Sequence, residues 1–246
     1  MKARFLKLAL SAVCASLSGG ASAGPPFLTD DPEPADTGHW EIYASLIDAA
    51  GRGTNFEGST AVELNYGAAP DLQLTVGLPV DYSHSRAGWR WGRGDVELSA
   101  KYRIVNDEDA GIQVAVFPAM TLPTGSNGMG SGRVTEFLPV WVQKDAGRWS
   151  VFGGGGYALN PGAGNRNYWT GGLAVSRQFG ERLLLGAEAD RQGAASIDDR
   201  ASTSVGFGGI YELKRPFRLL ASGGPTFEDG GKRPGFHLFM ALGIFL

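Results

Sequence analysis

Cysteine occurs once in the 246 residues, at Cys14, and histidine three times, at His39, His84 and His237. Beyond residue 23 no thiol remains, which excludes a disulfide framework, a cysteine metal site and a cysteine nucleophile there. Long apolar runs are equally scarce. The stretch from Leu8 to Leu17 is too short to cross a bilayer as a helix, which takes about 20 residues, and nothing after it is long enough either. Positive charge is not in excess. The chain holds 22 basic and 25 acidic side chains, and setting aside Lys2, Arg4 and Lys7 leaves 19 basic against 25 acidic, a formal charge of −6. That balance disfavours nucleic acid as a partner.

The N-terminus is informative. Lys2, Arg4 and Lys7 precede the apolar run, and Ala21-Ser22-Ala23 is a small-x-small cleavage site, so residues 1–23 read as a removable secretory signal. Cys14 sits inside it, behind Ser11-Ala12-Val13, and lacks the small residue that a lipoprotein site needs just before its cysteine. Residues 24–38 then form a proline- and acid-rich lead-in, and residues 39–246 the folded body. An exported chain without apolar helices crosses a membrane only as a β-barrel, whose strands need about 9 to 11 residues each and show apolar character on one face. Glycine, at 38 residues spread through the chain, is unfavourable for helices.

Alternation supports an all-β, up-and-down antiparallel barrel. Val62, Leu64 and Tyr66 alternate with Ala61, Glu63 and Asn65, and Leu72, Leu74, Val76, Leu78 and Val80 with Gln73, Thr75 and Asp81. This is the strand period. In the fourth segment Val96, Leu98, Ala100, Tyr102 and Ile104 face one way, and Asp95, Glu97, Ser99, Lys101 and Arg103 the other. A soluble core would reject the second row, whereas a hydrated lumen accepts it. Strands are predicted near 39–49, 58–69, 71–82, 94–105, 110–122, 133–144, 148–159, 167–179, 182–192, 201–213, 217–227 and 235–246. Twelve is the resulting number, with ten or fourteen as alternatives where glycine blurs the pattern. With both termini periplasmic, the runs 50–57, 83–93, 123–132, 160–166, 193–200 and 228–234 are outer connections. Trp40, Tyr43, Tyr82, Trp89, Trp91, Trp141, Trp149, Tyr157, Tyr168, Trp169, Tyr211, Phe217 and Phe236 lie near segment ends, as girdle residues do. The last segment, ending Phe245-Leu246, resembles an outer-membrane assembly signal and implies the barrel-assembly machinery as a partner during biogenesis.

Several blocks resemble one family. They are Pro25 to Pro34, His39-Trp40-Glu41, Gly94-Asp95-Val96-Glu97 with Lys101-Tyr102-Arg103, and Leu122-Pro123-Thr124-Gly125. Phe137 to Lys144, Gly153 to Tyr157, Asn160-Pro161-Gly162 and Gly164-Asn165-Arg166-Asn167-Tyr168-Trp169 complete the set, the last being the most specific. The resemblance is to the outer-membrane barrels of the meta-pathway of phenol degradation, described as transporters. It implies a barrel in the cell outer membrane that passes small, in part aromatic, compounds.

The candidate site residues each admit two readings. Asp95, Glu97, Lys101 and Arg103, facing Glu63, Asn65 and Gln73 on nearby strands, read either as a selective constriction or as paired charges filling a narrow interior. Glu188 and Asp190 share one parity and admit the same pair. Asp30, Asp31 and Glu33, among prolines that preclude regular structure, belong either to a plug entering the lumen or to a solvated periplasmic lead-in; their spacing does not fit a calcium loop. Asn160, Asn165, Arg166 and Asn167 mark an outer-loop motif. Enzymatic chemistry has little to build on. Ser83, His84 and Ser85 are adjacent on a strand and face alternately, and Ser202 and Ser204 are not on a strand next to that of His237. The sequence therefore predicts a channel for passive passage of small organic solutes, in contact with outer-membrane lipid and without metal or cofactor. A non-porous structural or lipid-hydrolysing barrel is the alternative.

Overall fold

The computed structural model describes residues 26–50, 56–231 and 234–246. The predicted signal, with Cys14, lies outside the described residues. Period-two sequence becomes antiparallel strand along the whole body: β1 (Trp40–Ala50), β2 (Phe56–Ala69), β3 (Leu72–Ser85), β4 (Gly88–Arg93), β5 (Val96–Asp107), β6 (Ile112–Val116), β7 (Ala119–Leu122), β8 (Thr135–Ala146), β9 (Trp149–Leu159), β10 (Tyr168–Phe179), β11 (Leu183–Gln192), β12 (Ser202–Glu212), β13 (Phe217–Glu228) and β14 (Gly235–Phe245).

Two pairs of these segments are collinear. β3 pairs through its C-terminal half with β4, from Val80↔Arg93 to Ser85↔Gly88, and through its N-terminal half with β5, from Leu72↔Tyr102 to Gly77↔Glu97. β6 and β7 lie end to end between β5 and β8, parted at Phe117-Pro118, where Pro118 has no N–H to give to a ladder. Counting each collinear pair once makes twelve strands. The wall closes where β1 pairs with β14, from Glu41↔Phe245 to Ala50↔Phe236. Closure pairs every edge, which hydrocarbon surroundings demand.

The strand boundaries match the period-two reading to within a few residues, with one exception. The run 83–93, expected as a connection, continues the sheet instead. Trp89, Trp91 and Arg93 alternate with glycine and Arg90, and they pair with His84, Tyr82 and Val80.

The two faces invert the usual order. Asn65, Gln73 and Lys101 are 0 % exposed on the inner face, while Leu74 at 48 %, Tyr102 at 49 % and Ile104 at 53 % stand outside. Trp40, Trp89, Trp91, Trp149 and Trp169 are exposed on the outer surface. Trp141 and Tyr43, expected in the same belt, turn inward. Parity decides this, since Trp141 shares a face with buried Gln143 and Tyr43 with buried Ser45. Inside, Tyr43, Leu220 and Ala241 pack with Ile210, Phe239 and Phe245 to form an apolar patch on the luminal wall.

Candidate functional site

Residues 26–36 enter the barrel and touch opposite walls. Lys101 on β5, fully buried, places Nζ 3.1 Å from Asp30 Oδ1 and 3.5 Å from Asp31 Oδ1, and donates to the Glu33 carbonyl at 3.3 Å. The ammonium also lies over the Phe117 ring at 4.8 Å. On the far side Glu188 of β11 accepts from the backbone N–H of Leu28 at 3.0 Å and of Thr29 at 2.9 Å. Phe27 packs on Phe152 and Ala174, and the Ala35 N–H donates to Gln73 Oε1 at 2.7 Å.

The composition of this segment suits the position. A backbone buried without a ladder must find partners for each N–H, and Pro26, Pro32 and Pro34 have none to satisfy. Asp30 and Asp31 serve two more, accepting from Asp31 N and Glu33 N. Gly172 makes the close approach possible, because a Cβ there would run into Thr29 Oγ1.

The other predicted residues sort by height. Glu63, Asn65, Gln73 and Thr75 form one network: Asn65 Nδ2 donates to Glu63 Oε1 at 2.8 Å, Gln73 Nε2 to Asn65 Oδ1 and Thr75 Oγ1 at 3.0 Å each, and Thr75 Oγ1 to Asn65 Oδ1 at 2.6 Å. Glu97 faces inward across Gly77. Arg103 lies by the β2–β3 turn, paired with Asp71 at 2.7 Å and donating to Gln113 at 2.8 Å. Asp95 sits at the β4–β5 junction. Its carboxylate accepts from Gly125 N at 2.8 Å, Ser131 N at 2.7 Å and Ser131 Oγ at 2.5 Å. Loop 123–132 is thereby fastened to the wall, helped by Arg90 to the Asn127 carbonyl and Asn127 to the Trp91 carbonyl.

The Asn160–Asn167 motif is a clamp between loops. Asn160 receives the Asn165 amide at 3.1 Å and donates to the Ala195 carbonyl at 2.9 Å, while its N–H goes to Asn167 Oδ1 at 2.8 Å. Asn165 bridges to Ser196, and the Arg166 N–H reaches the Ala195 carbonyl. Beside the clamp, burial lifts the Asp199 carboxyl above the ordinary aspartate range. The exposed Arg191 holds Asp229 below it.

Among the hydroxyl and imidazole groups, Ser83 turns inward and His84 outward against Trp89, so the adjacent pair does not converge. Ser204 and His237 are not on neighbouring strands, but Thr226 on β13 bridges them, an arrangement the sequence reading missed. Its only trace in the sequence is common parity. Among the described residues no group of three or more His, Cys, Asp or Glu is placed to hold a metal ion.

Comparison with known proteins agrees with the architecture. The chain is similar to an outer membrane channel from Pseudomonas putida F1, with 16 % identity, a TM-score of 0.72, and coverage of 88 % of this chain and 98 % of that one. It is similar to the KdgM porin at 9 % identity and TM-score 0.57, covering 83 % and 98 %, and to the NanC porin at 9 % and 0.55, covering 82 % and 98 %. No curated protein matches the chain. These likenesses are of fold, and the fold is that of a barrel of the outer membrane. The sequence match is of a different kind: residues 41–238 fit the profile of the family described as "Putative MetA-pathway of phenol degradation", and the chain belongs to that family.

Proposed function

We propose that the protein is an outer-membrane channel for the passive passage of small organic compounds, with residues 24–38 as a plug ahead of the barrel at 39–246 and residues 1–23 removed on export. The observation that carries this reading is the polar inner wall with a separate segment seated in it. An interior built only to be filled needs no lead-in chain gripped by Lys101 on one wall and Glu188 on the other. The family's description points to phenol degradation, and we assign small aromatic compounds as solutes. The inward patch of Tyr43, Phe239 and Phe245 beside the charged rows offers rings a surface. Glu63, Gln73, Glu97, Lys101, Glu188 and Asp190 line the path, and Arg103 its periplasmic end. Asp95 and the Asn160–Asn167 motif act through the outer loops they fix. The barrel-assembly machinery receives the chain through β14.

Solute entry into proteoliposomes made with the refolded chain lacking residues 1–37 tests the reading. Osmotic swelling with phenol-sized neutral solutes should exceed that of protein-free vesicles severalfold. Swelling no faster than in empty vesicles would refute a channel.

A further inference from the structure

Two kinds of contact hold the irregular segment ahead of β1, and they divide it. Its C-terminal end is attached through backbone. Thr37 forms an isolated parallel bridge with Gly67 of β2, the Gly38 N–H donates to the Gly67 carbonyl at 2.7 Å, and the Gly67 N–H donates to the His39 carbonyl at 3.1 Å. The His39 N–H closes a turn on the Asp36 carbonyl at 2.9 Å. Only glycine permits this seat, since a Cβ at residue 67 would run into the carbonyls of Ala35 and Asp36. Gly38 turns the chain there with φ at +82°, a left-handed conformation that glycine adopts freely. The Ala35 N–H, donating to Gln73 Oε1, completes this set.

The N-terminal end is attached through side chains of the wall. Glu188 accepts the N–H groups of Leu28 and Thr29, and Lys101 holds Asp30, Asp31 and the Glu33 carbonyl. Phe27 adds apolar contact with Phe152 and Ala174. The polar attachment of residues 28–33 to the wall thus runs through these two side chains. Between the two sets Pro32 and Pro34 stiffen the chain, because each fixes its own φ and biases the residue before it, Asp31 or Glu33, towards an extended conformation. Residues 31–34 therefore move as an arm. Leu28 stands 45 % exposed between buried Phe27 and Thr29, so open space adjoins the tip of that arm.

We propose that the segment is a hinged strap: residues 26–33 swing away from Glu188 and Lys101 as a unit, while residues 35–39 stay on β2 and β3 as the hinge. Complete exit would strip both backbone groups of Gly67 of their partners, and an unpaired backbone group enclosed by the wall is costly. Release of the tip breaks no backbone pairing. The inference rests on the plug reading and deepens it, since passage is then regulated by an arm that remains tethered in the open barrel and keeps its blocking groups within reach of their seats.

Pulsed electron paramagnetic resonance on the protein starting at residue 24, in detergent micelles, reads the two ends separately without requiring conduction. Cys14 leaves with the signal, so introduced cysteines are the only ones. Spin labels go on Leu28→Cys or on Thr37→Cys, both at exposed positions, each paired with Ala87→Cys in the β3–β4 turn at the other end of β3. Both distance distributions should be narrow in the otherwise unaltered chain. Glu188→Ala and Lys101→Met should each broaden the Leu28 distribution severalfold and leave that of Thr37 unchanged. Glu188→Gln, which keeps the size and one of the two acceptor oxygens, should give an intermediate width, and it serves if the larger changes prevent folding. Broadening at Thr37 together with Leu28 would mean that the segment leaves whole and would overturn the proposal. So would a Leu28 distribution that stays narrow in all three variants. A swelling assay without solute entry would instead refute the channel and leave the measured hinge standing.

Discussion

Lys101 is the residue on which the seating of the lead-in segment turns. A fully buried ammonium is tolerable only with partners, and removing one partner of such a pair costs about 3–5 kcal/mol because the other charge is stranded. Asp30→Asn should therefore loosen residues 26–36 instead of leaving Lys101 unpaired in place. A Thr29→Cys label reads this directly, since Cys14 is the sole natural cysteine and would leave with the signal, and Thr29 is 1 % exposed. Thiol modification of Thr29→Cys should be at least tenfold faster with Asp30→Asn present; equal rates would mean that the ion pair does not hold the segment. Parity made Lys101 visible in the sequence as an inward charge. Its partners were not visible, because 71 residues of chain separate Lys101 from Asp30 and no periodic relation links a strand to an irregular segment. The same holds for Glu188, whose parity was legible while its backbone partners Leu28 and Thr29 were not.

At the scale of elements, the strands were legible and the loops were not. A wall with lipid on one side and water on the other imposes alternation on every strand, so period two locates the strands and gives twelve, with ten or fourteen as alternatives where glycine blurs it. The exceptions have physical reasons. β4 is six residues long and set off by Gly94, so it resembled a connection, and its pairing to β3 is declared mainly by Trp89 and Trp91. Loop 123–132 is glycine-rich and was readable only as a long connection, yet it is tied back by Asp95 at its base. Asp95→Ala should free this loop and speed tryptic cleavage at Arg133 severalfold in the folded barrel. Unchanged cleavage would show that the contacts from Arg90 and Asn127 suffice. The Asn160–Asn167 motif was legible as a motif, but its role as a clamp on residues 195–196 depends on a contact between two separate loops.

At the scale of the whole molecule, export, closure and an inverted surface all follow from composition and alternation, because each is a response to the solvent on one side of the wall. Whether the interior conducts is a different kind of property. It depends on how a short irregular segment fills a space enclosed by twelve strands, and that space is defined by no local pattern. The structure places residues 26–36 between β5 and β11, so conduction depends on what that segment blocks. Planar-bilayer conductance of the refolded protein starting at residue 24, compared with the same protein starting at residue 38, is the most direct test. Small or intermittent currents are expected from the first and steady, larger currents from the second, with Lys101→Met moving the longer chain towards the shorter. Silence from both proteins, each shown to be folded, would contradict that expectation.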